Sequence, residues 1–172
     1  MRLTMMLVPK VSKVLIFEAY ARTNYSDVVP GKGYITVKYN TETVTVINVM
    51  GRIFMGDPLD NPFKKVDEIL DEIDSDFVFV DMHAEATSEK IAMAHFLDGR
   101  VTAVVGTHTH IPTNDARILT GGTGYQTDAG MCGDYNSVIG MNAENSLNRF
   151  LKKNSVKHFP AVGEATLSGV IV

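Results

Sequence analysis

The sequence predicts an α/β fold in which helices flank a largely parallel sheet, and three observations carry that expectation. Two short, β-branched apolar runs, Phe77-Val78-Phe79-Val80 and Val101-Thr102-Ala103-Val104-Val105, read as strands buried on both faces. A segment of helical character, opening at Ser88-Glu89-Lys90 and reaching about Leu97, lies between them and makes a βαβ unit. Just past each run come residues suited to chemistry: Asp81 and His83 after the first, His108 and His110 after the second. In open α/β sheets, ligand sites gather at the carboxyl ends of parallel strands.

Taken in order, the amino-terminal run Leu3-Thr4-Met5-Met6-Leu7-Val8 is apolar but is interrupted by Pro9, Lys10 and Lys13. It is too short for a membrane span, and no small-residue cleavage site follows closely, so a cytoplasmic protein with no membrane contact is expected. Residues 21–27 are polar, and Val29-Pro30-Gly31-Lys32-Gly33 has turn chemistry. Residues 34–39 and 43–49 are β-rich and joined by Asn40-Thr41-Glu42, which predicts an antiparallel hairpin. Asp60 is the expected cap of a helix with Pro62 in its first turn and Phe63, Val66, Ile69, Leu70 and Ile73 on its core face.

After the βαβ unit, residues 116–119 and 124–128 read as strands around a glycine turn. A last helix runs from Ala143 to about Lys153, with Asn142 as cap and Leu147, Phe150 and Leu151 as its buried face. The tail, residues 156–159 and 165–172, reads as two more strands. Because the chain stops inside the apolar run Gly169-Val170-Ile171-Val172, truncation is a further expectation.

The 172 residues are expected to form one domain, 1–172, with a substantial core. A content of 45% hydrophobic and 21% charged residues is that of an ordinary globular protein, and a net charge of -4 argues against a nucleic-acid-coating surface. The single cysteine, Cys132, excludes an intrachain disulfide and reads as a small loop residue.

The histidines carry the functional signal. In extended chain, positions i and i+2 point to the same side, so His108 and His110 present two imidazoles together, and a neighbouring parallel strand brings His83 to the same edge. Imidazole is the usual ligand of zinc, iron and manganese-type hydrolytic centres. The competing reading, hydrogen-bonded loop histidines, fits any one of them taken alone. His95, inside a predicted helix, is left out as a packed or surface residue. Asp81, Glu85 and Asp128 are the candidate carboxylates, and each reads better as hydrogen-bonding support than as a direct ligand.

Residues 81–90, Asp81-Met82-His83-Ala84-Glu85-Ala86-Thr87-Ser88-Glu89-Lys90, and 104–110, Val104-Val105-Gly106-Thr107-His108-Thr109-His110, resemble the YmdB-like metallophosphoesterases. The resemblance runs from Asn24-Tyr25 through Pro30-Gly31-Lys32-Gly33, Asn48-Val49-Met50-Gly51-Arg52, Asp98-Gly99-Arg100 and Thr127-Asp128-Ala129-Gly130-Met131 to Leu167-Ser168-Gly169-Val170. It implies a calcineurin-like fold, a two-sheet sandwich flanked by helices in α-β-β-α layers. It also implies a cytoplasmic hydrolase that uses two divalent ions, iron or manganese, to open 2′,3′-cyclic nucleotides or related phosphodiesters with a metal-activated water.

By the same resemblance, His83 and His108 are ligands of one ion and His110 of the other. The family's upstream Gly-Asp-Val-Val-Gly, Gly-Glu-Asn and Gly-Asn-His elements do not occur here, and Gly56-Asp57-Pro58 does not replace them. An N-terminally incomplete domain carrying half of a dinuclear site is therefore expected, with no catalytic residue assigned and activity of the chain alone in doubt. Missing strands would leave edges open to pairing with another chain, a homo-oligomer included. Two other readings stay open: a mononuclear hydrolase with all three histidines on one ion, and a non-catalytic metal-binding or oligomerising remnant.

Overall fold

Parallel pairing of apolar strands organises the molecule. The computed structural model describes residues 4–7, 15–18, 23–24, 33–56, 59–152 and 157–172. Its strands are β1 (Thr4–Leu7), β2 (Leu15–Glu18), β3 (Tyr34–Tyr39), β4 (Glu42–Met50), β5 (Phe77–His83), β6 (Ala103–Thr107), β7 (Arg117–Ile118), β8 (Gly124–Gln126), β9 (Gly133–Asp134) and β10 (Ala165–Thr166). The helices are α1 (Pro62–Glu72), α2 (Thr87–Phe96) and α3 (Ala143–Lys152). A six-stranded mixed sheet runs in the order β3-β4-β5-β6-β8-β7, with β4, β5, β6 and β8 parallel and antiparallel strands at both edges. Two antiparallel pairs, β1-β2 and β9-β10, lie outside it.

This mixed sheet with flanking helices is the α/β fold that the sequence predicts. The β3-β4 hairpin forms as expected, closed by Asn40 in the left-handed region (φ 56°), a conformation asparagine tolerates. Side-chain alternation sorts the sheet into two faces. Ile47 and Val49 of β4, Val78, Val80 and Met82 of β5, and Val104 of β6 form one core with Val66 and Ile69 of α1 and Met93, Ala94 and Leu97 from α2 and its end. On the opposite face, Val46, Phe79, Ala103 and Val105 form a second cluster, against which Ala129 and Val170 pack. Each of these large apolar side chains contributes roughly 1.5–3 kcal/mol on burial.

Three expectations need correction. The cap of α1 is Asn61, whose Oδ1 accepts from the amides of Phe63 and Lys64; the Asp60 backbone is instead tied to Asn24. Asn142 does cap α3, accepting from the Asn145 amide, but Leu147, Phe150 and Leu151 are 53%, 78% and 77% exposed. Helical spacing puts these three on one side; it cannot supply a partner for that side. In the tail, only Ala165–Thr166 is strand, and Gly169–Val172 is irregular while Val170 rests on the sheet. The turn at residues 29–32, Tyr25, Asp57-Pro58 and Val156 lie outside the described residues. No described helix is long and apolar enough to cross a membrane.

Asp115 fastens the loop before β7 to the end of β8. Burial raises its carboxyl, but hydrogen bonds from the Thr113 hydroxyl and from the Thr127 hydroxyl and amide outweigh this and hold it below the usual aspartate range. A depressed native value stabilises the fold above the unfolded value of about 3.9, and that contribution disappears as pH falls through the native one. Asp115→Asn is accordingly expected to lower the urea midpoint at pH 7 and to flatten its decline under acid conditions. A midpoint-against-pH curve identical to that of the parent chain would contradict this.

Candidate functional site

Strand register assembles the site. Asn48 is paired with Asp81, and His83 with Thr107, so all four lie on the same face near the carboxyl ends of β4, β5 and β6. Asp81 is buried, 1% exposed, and so must find donors inside the protein. Its Oδ2 accepts from Asn48 Nδ2 at 2.6 Å and its Oδ1 from Thr107 Oγ1 at 2.8 Å. Since the threonine hydroxyl gives its single hydrogen to the carboxylate, it can only accept from His83, which lies 3.0 Å away through Nδ1. Hydrogen-bond logic thus places the His83 proton on Nδ1 and leaves a lone pair on Nε2.

That lone pair faces His108. His83 Nε2 and His108 Nδ1 are 3.2 Å apart, with the rings edge to face at 89°. The other nitrogen of His108 lies 3.0 Å from Glu85 Oε2, so it carries a hydrogen. A neutral His108 therefore also aims a lone pair at the contact, and two lone pairs at this range repel unless a proton or a cation serves both. Two nitrogens bonded to one ion at about 2.0–2.1 Å and at roughly tetrahedral or right angles would lie about 2.9–3.4 Å apart. The observed separation fits adjacent positions on a single metal ion.

His110 is held differently. Its Nδ1 meets the Ile139 carbonyl at 2.7 Å, which fixes the hydrogen on Nδ1 and leaves Nε2 as the nitrogen with a lone pair in the neutral ring. Each of the three histidines thus has one ring nitrogen engaged by an oxygen, the usual outer support of an imidazole ligand. His83 and His108 are brought together, whereas His110 is turned to Ile139. Among the described residues, no group of three or more His, Cys, Asp or Glu side chains surrounds one metal position. The pair fits part of an ion's coordination shell, and the described residues do not complete it.

The loop is strained. His108, His110 and Ile139 have φ of 114°, 69° and 48°, a region that costs side-chain-bearing residues of order 1–3 kcal/mol each. Asp128, a candidate carboxylate in the sequence, is buried in an ion pair with Lys90 at 2.9 Å and also accepts from the Thr109 amide. Asn48, Thr107 and Lys90 were not legible as site residues; Asn48 and Thr107 showed only as polar side chains interrupting or ending an apolar run, and Lys90 only as part of a helix opening. Buried Glu89 is structural, accepting from the Arg52 and Ile53 amides. Exposed His95 takes no part.

Residues 20–172 match the family described as YmdB-like protein. The chain belongs to that family. It is 48% identical over 151 residues to the 2′,3′-cyclic-nucleotide 2′-phosphodiesterase of Bacillus subtilis (strain 168), an alignment covering 87% of this chain and 57% of that protein. Among solved structures it is similar to a hypothetical protein from Thermus thermophilus, with 51% identity, a TM-score of 0.81 and coverage of 84% and 57% of the two chains. It is also similar to a novel phosphatase from Mycoplasma pneumoniae, with 35% identity, a TM-score of 0.76 and coverage of 84% and 53%. This YmdB-like chain therefore spans about half the length of the relatives it matches.

Thr107→Val keeps the shape of residue 107 but removes the hydroxyl between Asp81 and His83. Loss of such a support typically lowers metal affinity about 10–100-fold, and the buried carboxylate left one donor short costs about 1–3 kcal/mol. Manganese titration and urea unfolding should show both effects; unchanged affinity would separate the Asp81-Thr107 chain from ligand orientation.

Proposed function

We propose that this chain is the histidine-bearing part of a metal-dependent phosphodiesterase acting on 2′,3′-cyclic nucleotides or related phosphodiesters. The observation that carries the reading is the facing of His83 Nε2 and His108 Nδ1, two nitrogens whose lone pairs are set by their other hydrogen bonds. The name and 48% identity of the Bacillus subtilis relative support the substrate class. In this proposal His83 and His108 hold one divalent ion and His110 Nε2 serves a second. When bound, such ions polarise phosphoryl oxygens and make water acidic enough to attack at neutral pH.

The chain's own residues bind and orient. Asp81 and Thr107 keep His83 in the Nε2 ligand tautomer, Glu85 keeps the His108 hydrogen away from the pair, and the Ile139 carbonyl does the same for His110. Glu85 is half-exposed, so its contribution is orientation more than binding energy. No described residue is assigned as proton donor to the leaving oxygen. We assign the chain one side of a two-ion centre.

Two measurements test this. Elemental analysis of the purified chain should find at most one weakly held ion, with no hydrolysis of a 2′,3′-cyclic nucleotide with or without added manganese. Near two ions with turnover would overturn the half-site assignment. Replacing the matching segment of the Bacillus subtilis relative with residues 20–172 should then give manganese-dependent hydrolysis that His83→Ala abolishes. A folded, metal-loaded chimera without phosphodiesterase activity would count against the function itself.

His110→Ala separates the divided arrangement from a single three-histidine site. If His110 serves a different ion, the variant keeps residual manganese binding through His83 and His108. Complete loss of binding would favour a mononuclear centre.

A further inference from the structure

Lys90 and Asp128 are a fully buried ion pair, each side chain 0% exposed, with Nζ and Oδ2 2.9 Å apart. Burying two charges is weak evidence of stabilisation, because desolvation offsets most of the attraction and an apolar pair of similar volume often does as well. What an apolar pair cannot do is accept hydrogen bonds. The same Asp128 Oδ2 accepts from the Thr109 amide at 3.0 Å, and Oδ1 accepts from the Gly130 amide at 2.9 Å. Thr109 lies between His108 and His110, both at positive φ. Strain of that kind persists only where the surroundings over-determine it.

The strand leading into the loop is shaped for this contact. A Cβ on Gly106 would lie 1.7 Å from the Thr127 carbonyl oxygen and 2.8 Å from Lys90 Cδ, so glycine is required by the Thr127 backbone and leaves the lysine stem room beside it. The aliphatic part of Lys90 passes under the residue two positions before His108 and ends on the carboxylate that holds Thr109. Helix α2, strand β6 and the Asp128-Gly130 turn therefore meet on one side chain.

We infer that Asp128 is the positioning residue of the His108-Thr109-His110 loop, with Lys90 as its buried counter-ion. By accepting from the Thr109 amide it holds the strained backbone that turns His108 Nδ1 toward His83 Nε2. Its consequence for metal binding rests on the proposed function; its consequence for loop geometry does not.

Two double variants of the full chain test this without leaving a bare buried charge. Lys90→Met/Asp128→Asn keeps one acceptor oxygen, for Thr109 at the expense of Gly130, whereas Lys90→Met/Asp128→Leu removes both acceptors. Expected are manganese binding within about threefold of the parent for the asparagine variant and weakened at least about tenfold for the leucine variant. Amide hydrogen exchange at Thr109 in the metal-free chain should accelerate at least about tenfold in the leucine variant alone, at comparable unfolding midpoints. If the leucine variant does not fold, Lys90→Met/Asp128→Ala removes the acceptor without added bulk and takes its place. Parental Thr109 protection in the acceptor-less variant would overturn the inference, as would parental manganese affinity. A parent chain that binds no manganese would sink the metal reading, and the exchange comparison would still decide the positioning.

Discussion

The register of three parallel strands is the constraint on which everything else depends. With β4, β5 and β6 aligned so that Asn48 meets Asp81 and His83 meets Thr107, alternation sends those four residues to one face. The same alternation sends Ile47, Val49, Val80, Met82 and Val104 to the other face, beneath α1 and α2. A slip of one residue would exchange the two sets, burying a carboxylate and an imidazole under the helices and exposing the core. The hydrophobic energy that fixes the core therefore also fixes the geometry of the site.

At the carboxyl edge of the sheet, the decisive quantity is the cost of a buried acceptor left unpaired. Asp81 has two donors facing its two oxygens, and one of them, Thr107, relays the constraint to His83. Asp128 is satisfied by a lysine and two amides, one of them in the strained loop. Neither carboxylate needs to touch an ion to matter. Each turns the penalty for an unsatisfied buried charge into a constraint on the segment that carries a histidine, Asp81 through Thr107 and Asp128 through the Thr109 amide.

The β3-β4 hairpin and the parallel β5-α2-β6 unit were legible because β-branched runs bounded by turn residues leave little choice of element, and a helix between two such runs leaves little choice of handedness; the order of the whole sheet was not. His83 and His108 were legible for the same reason: strand ends can be placed from the runs that precede them. The rest depended on contacts between distant parts of the chain. Lys90 read only as part of a helix opening, and nothing near it in the sequence marks Asp128, 38 residues on, as its buried partner. Asn48 sat inside an apolar run with nothing local to mark its partner. The face of α3 shows the opposite failure, since amphipathic spacing at Leu147, Phe150 and Leu151 announced burial while the structure turns them to solvent. His110 also escaped the simple i and i+2 argument, because positive φ at both His108 and His110 takes the segment out of extended chain.

That departure from extended geometry changes what the His-Thr-His segment can do. In a regular strand the two imidazoles would point the same way and compete for one position. With the backbone turned at both residues, His108 presents Nδ1 to His83 while His110 is held through Nδ1 by Ile139, so the two rings expose different nitrogens. A single ion gathering both would need His110 Nε2 at the point that His83 Nε2 and His108 Nδ1 share, and among the described residues no three such side chains surround one position. At the His83-His108 contact a proton and a metal ion would compete for the same lone pairs. The backbone strain in this loop thus has a chemical counterpart: it turns His108 toward His83 and His110 toward Ile139, so one short segment presents its two imidazoles to different surroundings.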